Sequence, residues 1–361
     1  MCVYKDLNIL ICMNIKAVFP SNSFDIQKMK YLVNSLDFFN IPYDIIGLGK
    51  EFTYLNKIFW LYEYLQNQND TDIIFFSDAY DVFYTQSLEI IKNKFIHHNT
   101  EILWSCEKGY WHGLSKQKEI YDKLGNKYKY NYLNSGTFMG YVYALKIYIG
   151  DIINEINNKD GDLNNNLKKD GCRCTPLTHL SGINGDYFCD QQIYSYFYAE
   201  NHHKYSIKLD YNLTIFYIPV HDWDMIDNYI SFKNNCVYNN ITKSFPCIIH
   251  CPWLKKYRHI YDYIYNSVFI PVIDKKYVWK HDCKYVNGYI WFHKNKLETS
   301  WGDGTYNTIS KTNYILVWNN VKHNIIFNND LSEFKSVRCH DLHISSGELL
   351  PKDYNIKFIS L

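Results

Sequence analysis

The sequence predicts an α/β fold in which helices flank a mostly parallel sheet, followed by a small β-rich module. Up to about residue 270, short apolar runs alternate with stretches that repeat apolar residues at helical spacing. Residues 73–76 are consecutively apolar, which is typical of a strand buried on both faces. From about Tyr277, short alternating runs separated by Gly, Asn and Asp turns replace the helical stretches. We therefore expect one domain over residues 1–270 and a sandwich or barrel over residues 275–361.

Strands and helices alternate regularly before residue 77. Residues 8–13 and 43–46 are predicted to form two strands ahead of the strand at 73–76. A helix is expected after each of the first two strands, the first capped by Ser21 or Ser23. The apolar faces of these helices comprise Met29, Leu32, Val33, Leu36 and Phe39, and then Leu55, Ile58, Phe59, Tyr62 and Leu65.

The alternation continues beyond residue 81. Gly136 and Gly140 lie within an apolar stretch, which indicates a strand whose backbone another group approaches closely. The predicted elements are a helix near 88–95, strands at 102–106 and 132–141, a helix beginning near 186–194, and short strands at 207–210, 214–216 and 246–250.

Composition and charge limit the classes of partner. The 361 residues are 47% hydrophobic and carry a formal charge of +1, which supports a substantial core and gives no reason to expect nucleic acid as a partner. No apolar run is long enough to span a membrane, and the N-terminus lacks the order of a signal peptide. The 11 cysteines form no C-x-x-C pairs, so they do not predict a zinc site.

Asp78 and Asp81 directly follow the predicted strand at 73–76. Ligands of open α/β sheets collect at the carboxyl ends of strands, and two carboxylates on one turn can hold Mg²⁺ or Mn²⁺. Tyr80, between them, can stack on a nucleobase. The alternative is a polar turn with a helix cap, which uses the same residue types.

Further candidates for the site lie elsewhere in the chain. His250 ends an apolar run and can complete the cation site, or it can be an ordinary histidine satisfied by hydrogen bonds. Asp190 can face substrate hydroxyls or simply favour a helix N-terminus. Lys57 can be a solvated helix lysine, Trp111 a lid or a sugar platform, and Asn134 a hydroxyl-binding group or part of a turn.

Seven short motifs occur in an order that resembles a known family. They are Gly47-Leu48-Gly49 with Lys57, residues 76–81, residues 105–107 with Trp111, residues 132–141, Asp190-Gln191, Leu209-Asp210 with Ile215-Phe216, and residues 246–250. Together they resemble the glycosyltransferase domain of the procollagen lysyl hydroxylase/glycosyltransferase enzymes, which has a GT-A (Rossmann-like) fold. The resemblance covers roughly the first 270 residues.

The resemblance implies a role for each matching residue. Asp78, Asp81 and His250 would hold Mn²⁺, Tyr80 would stack on uracil, and Lys57 and Lys256 would contact the nucleotide or diphosphate. The donor and acceptor cleft would be lined by Trp111, Asn134, Asp190 and Gln191.

The implied reaction is transfer of glucose from UDP-glucose to galactosyl-hydroxylysine of collagen or a collagen-like protein. The alternatives are galactose transfer from UDP-galactose to hydroxylysine, a non-catalytic collagen- or carbohydrate-binding protein, and a metal-dependent phosphohydrolase. The AT-rich composition bias suggests a giant-virus member, acting in the host cytoplasm or the virion. The C-terminal domain is a candidate homodimer interface.

The sequence also departs from the family pattern. The family continues after its histidine with G-N-G, whereas Cys251-Pro252-Trp253 follows His250 here. The C-terminal residues show no H-x-D motif of an iron site, so lysine hydroxylation is not expected.

Overall fold

The computed structural model describes residues 13–23, 25–110, 115–158, 189–220, 222, 225–233, 236–252, 254–269, 275–293, 296–309, 312–328 and 331–350. The chain divides into two compact units. One extends to residue 231 and includes 237–260, and the other comprises 232–236 and the residues from 261 onward. The predicted limits of 1–270 and 275–361 remain predictions.

A six-stranded sheet forms the centre of the first unit. Its strand order is β2-β1-β3-β6-β5-β7; β1 is parallel to β2 and β3, β5 is parallel to β7, and β6 is antiparallel to both of its neighbours. The mostly parallel α/β sheet is therefore confirmed. Its strands are β1 (Ile15–Pro20), β2 (Tyr43–Ile46), β3 (Ile73–Ser77), β5 (Ile102–Glu107), β6 (Tyr132–Tyr141) and β7 (Ile207–Leu209).

Strand β3 lies inside this sheet, and every one of its residues is buried. A strand that is paired on both edges and covered on both faces exposes no side to water. Consecutive apolar residues suit such a position. Asp78 and Asp81 follow the carboxyl end of β3 and therefore lie at the edge of the sheet.

A smaller sheet adjoins the carboxyl end of β3. It has the order β4-β11-β8, with β11 antiparallel to β4 and parallel to β8. A separate two-stranded ladder pairs β9 with β10. The strands are β4 (Val82–Tyr84), β8 (Phe216–Tyr217), β9 (Ile230–Lys233), β10 (Cys236–Asn239) and β11 (Ile248–His250).

The first helix buries most of its expected apolar face, but the second does not: Leu55, Phe59 and Tyr62 are only half-buried, and Trp60 and Leu61 are buried beside Ile58 and Leu65. The cap of the first helix also differs from the prediction. Asp25, not Ser21 or Ser23, caps α1, because its carboxylate accepts hydrogen bonds from the backbone N–H groups of Gln27 and Lys28. The helices are α1 (Ile26–Phe38), α2 (Tyr54–Gln66), α3 (Leu88–His97), α4 (Ser115–Leu124), α5 (Val142–Asn157), α6 (Asp190–Asn201), α7 (Ile226–Tyr229) and α8 (Leu254–Phe269). Among the described helices, none is both long enough and apolar enough to cross a bilayer.

The C-terminal β-rich region is a closed barrel, which resolves the choice between sandwich and barrel. Consecutive strands pair antiparallel, and the first strand pairs with the last. Aromatic and branched side chains on alternate positions fill the interior. The strands are β12 (Lys276–His281), β13 (Tyr285–Phe292), β14 (Leu297–Thr299), β15 (Gly302–Thr308), β16 (Asn313–Trp318), β17 (Val321–Phe327), β18 (Glu333–Arg338) and β19 (Ile344–Leu349).

One predicted strand lies mostly outside the described residues. Residues 8–12 of the expected first strand are not described, and the structure places β1 at Ile15–Pro20. Strand β1 includes the polar residue Lys16, yet five of its six residues are buried.

Candidate active site

The pairing of β4 with β11 brings His250 beside the two aspartates. His250 lies opposite Val82 in this antiparallel pair, and the backbone N–H of Cys251 donates to the carbonyl of Asp81 at 2.8 Å. The backbone N–H of Asp78 donates to the carbonyl of Gly136 at 2.7 Å. The D-x-x-D turn is therefore fixed by two strands that are remote in sequence.

Asp78, Asp81 and His250 form a cluster that can hold a metal ion. One ligand atom from each side chain lies within 4.8 Å of the others. His250 Nε2 is 3.6 Å from Asp81 Oδ2 and 3.8 Å from Asp78 Oδ2. His250 is buried, whereas the Asp78 and Asp81 side chains are 28% and 21% exposed, so a cation and its further ligands can approach from the carboxylate side.

Hydrogen bonds orient the His250 ring for ligation. Asn134 Nδ2 donates to Glu107 Oε1 at 2.8 Å, which turns its amide oxygen toward His250 and toward the backbone N–H of Gly136. His250 Nδ1 lies 3.0 Å from that oxygen and must be the donor. His250 Nε2 is left buried without a hydrogen-bond partner, facing the carboxylates. A buried nitrogen of this kind fits a metal ligand.

The charge of the cluster also favours a cation. Burial opposes protonation of His250, but the carboxylates of Asp81 and Asp78 outweigh it and raise the pKa of this histidine. The separations of 3.6 and 3.8 Å are too long for hydrogen bonds, so the attraction is electrostatic. Two carboxylates and an imidazole are a donor set that suits Mn²⁺.

Gly136 makes room for the His250 ring. A β-carbon at this position would lie 2.1 Å from His250 Cε1. At Gly140 a β-carbon would lie 2.8 Å from the carbonyl oxygen of Glu101. The prediction that other groups approach the backbone of β6 closely is therefore confirmed at both glycines.

Lys57 lies buried on α2 and joins two carboxylates. Its ammonium group is 2.7 Å from Asp78 Oδ1 and 2.8 Å from Asp190 Oδ2. Burial lowers the pKa of Lys57, but the two carboxylates outweigh this effect and raise the pKa above its ordinary value. Asp78 thus directs one oxygen to Lys57 and the other toward His250.

Asp190 and Gln191 begin α6 and bind strand β6. Asp190 is buried, and its Oδ2 accepts hydrogen bonds from both Lys57 and the hydroxyl of Ser135, the latter at 3.1 Å. The Gln191 amide accepts from the backbone N–H of Ser135 and donates to the carbonyl of Leu133. These two side chains hold the start of α6 against the middle of β6.

The remaining predicted site residues are Tyr80, Lys256 and Trp111. Tyr80 is 37% exposed, and its hydroxyl is within hydrogen-bond distance of Ser21 Oγ, so part of the ring is available for stacking. Lys256 is exposed on α8, with its ammonium group 4.8 Å from the centre of the Tyr257 ring. Trp111 lies outside the described residues.

Sequence reasoning missed the role of Glu107. Its side chain is buried and orients Asn134, which in turn orients His250. The available signal was a carboxylate at the end of a fully buried strand, β5, where a charge needs a partner.

Comparison with known proteins finds a family model that matches part of this chain. Residues 21–165 match the family model described as the PLOD GT domain. The chain therefore contains a glycosyltransferase domain. The match to this family model agrees with the resemblance found in the motifs. The matched range includes Lys57, Asp78, Asp81 and Asn134 but not Asp190 or His250.

A curated relative and a solved structure show local likeness. The chain is 38% identical to the procollagen-lysine,2-oxoglutarate 5-dioxygenase of Drosophila melanogaster over 85 residues. These residues are 23% of this chain and 11% of that protein. The chain thus matches about a tenth of the length of that relative. A glycosyltransferase involved in glycosylation of the major capsid of PBCV-1 is also similar, with 11% identity, a TM-score of 0.34, and coverage of 68% of this chain and 98% of the other.

Proposed function

We propose that this protein transfers glucose from UDP-glucose to galactosyl-hydroxylysine of collagen or a collagen-like protein, with Mn²⁺ bound by Asp78, Asp81 and His250. The observation that carries the proposal is the buried, unpartnered His250 Nε2 facing two carboxylates at the carboxyl end of β3. The match to the PLOD GT domain supports the same reaction class.

The chemistry assigned to this site is nucleotide-sugar cleavage. The bond between the anomeric carbon and the phosphate oxygen breaks, and its electron pair leaves with UDP. A divalent cation at Asp78, Asp81 and His250 would stabilise the negative charge that develops on the diphosphate. The exposed face of Tyr80 is available to stack on the uracil ring.

The contacts of Asp190 favour a mechanism in which the acceptor attacks the anomeric carbon from the same face that the diphosphate leaves. A double displacement needs a free carboxylate nucleophile, but Asp190 is buried and its Oδ2 is already bonded to Lys57 and Ser135. We therefore assign Asp190 a positioning role. The acceptor hydroxyl then forms the new bond to the anomeric carbon and passes its proton to the leaving phosphate oxygen, so configuration is retained.

The test is release of UDP from UDP-glucose and UDP-galactose, with and without Mn²⁺ and with and without a galactosyl-hydroxylysine peptide. Mn²⁺-dependent release from UDP-glucose that the peptide stimulates is the expected result. Asp81→Asn should abolish release, whereas Asp37→Asn, which changes an exposed aspartate on α1, should leave it unchanged.

Three outcomes would contradict the proposal. A preference for UDP-galactose with bare hydroxylysine would assign the alternative galactosyltransferase. Donor hydrolysis that the acceptor does not stimulate would indicate a phosphohydrolase. Absence of release under every condition, together with binding of the peptide, would indicate a non-catalytic binding protein.

A further inference from the structure

Two hairpins of the barrel bring together a second group of metal-binding side chains. His343 Nε2 lies 2.8 Å from Asp282 Oδ1, and His281 Nδ1 lies 3.2 Å from Asp282 Oδ2. The two imidazole rings are 4.4 Å apart between centres. One ligand atom of each residue lies within 4.8 Å of the others. These three residues are called the imidazole cluster below.

The backbone of the first hairpin presents His281 and Asp282. Asp282 and Cys283 have positive φ values of 49° and 58°, and the backbone N–H of Lys284 donates to the carbonyl of His281 at 3.0 Å. Two left-handed residues at the centre of a turn match the twist of paired strands, so this is a tight turn within the three-residue connection between β12 and β13. Its shape depends on backbone hydrogen bonds and not on the cluster.

The second hairpin presents His343 in a similar way. The backbone N–H of Arg338 donates to the carbonyl of His343 at 2.9 Å, and Asp341 Oδ1 accepts from the backbone N–H of His343 at 3.1 Å. His281 lies opposite Ser345 in the pairing of β12 with β19. The cluster therefore lies at one end of the seam where the first and last strands close the barrel.

The chemistry of the cluster differs from that of the Asp78 site. Two imidazoles and one carboxylate favour zinc, whereas a site richer in carboxylates favours Mg²⁺ or Mn²⁺. In a tetrahedral zinc site with bonds of about 2.0–2.1 Å, neighbouring ligand atoms are about 3.3 Å apart. The 2.8 and 3.2 Å contacts use two different oxygens of Asp282, and the shorter one is a hydrogen bond, so ion binding would replace these contacts. One ligand atom of each residue lies within 4.8 Å of the others, which is close enough for small side-chain rotations to bring all three onto one ion. Three protein ligands leave a fourth position open.

We propose that the imidazole cluster binds Zn²⁺ and that the ion stabilises closure of the barrel. The side chains of His281 and Asp282 are 48% and 60% exposed and that of His343 is 23% exposed, so an ion can enter without rearrangement of the barrel. An ion that binds the folded chain but not the unfolded chain stabilises the folded state. The ion would join the β12–β13 turn to the β18–β19 turn at the seam that closes the barrel, and so the assigned role is structural.

The experiment measures Zn²⁺ bound per chain and the melting temperature of the full chain. It uses a Cys283→Ser, Cys339→Ser background, because both thiols are exposed and an exposed thiolate is itself a zinc ligand that would add to the count. We expect Zn²⁺ to raise the melting temperature and a chelator to reverse the rise. His281→Gln and Asp282→Asn should each reduce the bound Zn²⁺ by one per chain. Asn tolerates the left-handed backbone of position 282, so the turn is kept.

His340→Gln is the matched control. His340 is an exposed histidine of the same hairpin as His343 and lies outside the cluster. This variant should bind as much Zn²⁺ as the background chain. Equal zinc content in His281→Gln, Asp282→Asn and the background would overturn the proposal. A loss in His340→Gln equal to that in His281→Gln would also overturn it, because binding would then follow the number of surface histidines.

Discussion

His250 donates a hydrogen bond from Nδ1 to the amide oxygen of Asn134 at 3.0 Å. This contact fixes which ring nitrogen is free to face Asp81, and Glu107 fixes the amide of Asn134 in turn. Three buried side chains on β5, β6 and β11 thus set the direction of a single lone pair. Side chains that hydrogen-bond to a metal ligand commonly tune the affinity of the site for its metal.

Replacing Asn134 should weaken metal binding by Asp78, Asp81 and His250. Asn134→Ala leaves His250 Nδ1 without its acceptor, so the ring loses its orientation, and we expect Mn²⁺ affinity to fall by about 10–100-fold. Calorimetric titration with Mn²⁺ measures this change. Asn324→Ala, at an exposed position of β17, is the control and should bind Mn²⁺ like the unaltered chain. Equal affinity in both variants would remove Asn134 from the site.

Removing the Lys57 ammonium should destabilise the first unit. Lys57→Met leaves the buried carboxylate of Asp190 without its cation, and breaking such a pair costs about 3–5 kcal/mol. Urea denaturation measures the free energy of unfolding. The double variant Lys57→Met, Asp190→Asn removes both charges and should recover part of the loss. Lys50→Met, whose exposed pair with Glu63 contributes about 0–1 kcal/mol, is the control. A loss of the same size in Lys50→Met and Lys57→Met would contradict this account.

Gly136→Ala should displace His250. The added methyl group would lie 2.1 Å from the ring, and the hydrogen bond to Asn134 restrains the ring from moving away. We expect weaker Mn²⁺ binding and a destabilisation of about 1–3 kcal/mol, as for other overpacked cores. Gly150→Ala on α5, where the nearest atom is 3.2 Å away on the edge of Tyr62, should change stability by about 1 kcal/mol or less. Unchanged Mn²⁺ affinity in Gly136→Ala would show that the ring can move without effect.

The barrel should lose stability in acid through His323. Burial first, and then the nearby positive charges of Arg338 and His340, lower the pKa of His323 to about 4 from 6.5. The unfolded chain therefore takes up a proton on this ring at a higher pH than the folded chain. The free energy of unfolding falls as pH drops from 6.5 toward 4, by about 1–3 kcal/mol at most for this group.

His323→Gln separates this effect from general acid denaturation. Melting temperatures of the full chain are measured in chelator between pH 7 and 4.5, so that the imidazole cluster stays free of metal. The variant should lose less stability over this range than the unaltered chain. His203→Gln, which removes an exposed imidazole of the first unit that does not act on His323, should keep the steeper loss. Parallel curves for the unaltered chain and His323→Gln would contradict the assignment.

Local sequence predicted the parts of the site that lie on one stretch of chain. The run of β3 and its two aspartates could be predicted because burial on both faces and the following turn depend on neighbouring residues. From its chemistry alone, His250 was one of two open possibilities, a cation ligand or an ordinary histidine, and only the family resemblance favoured the first. Its approach depends on the pairing of β11 with β4, which is remote in sequence. The burial of Lys57 was not predictable, since a helix lysine beside an apolar stripe is usually solvated and only its two carboxylate partners make burial tolerable.

The imidazole cluster could not be predicted from the sequence, for a related reason. His281 and His343 lie in different hairpins, and they become neighbours only because β12 and β19 close the barrel. Zinc sites are recognised in sequences by short spacings between ligands, and no such spacing connects these residues.

Closure of the barrel also restricts how this part of the protein can recruit other molecules. Strand addition needs an open sheet edge with free N–H and C=O groups, and the pairing of β12 with β19 leaves the eight-stranded ring without one. An extended peptide or a second copy of the chain cannot lengthen this sheet. Any association through the barrel must therefore use side chains and turns, so its specificity depends on surface residues that can be changed individually without disturbing the ladder of backbone hydrogen bonds.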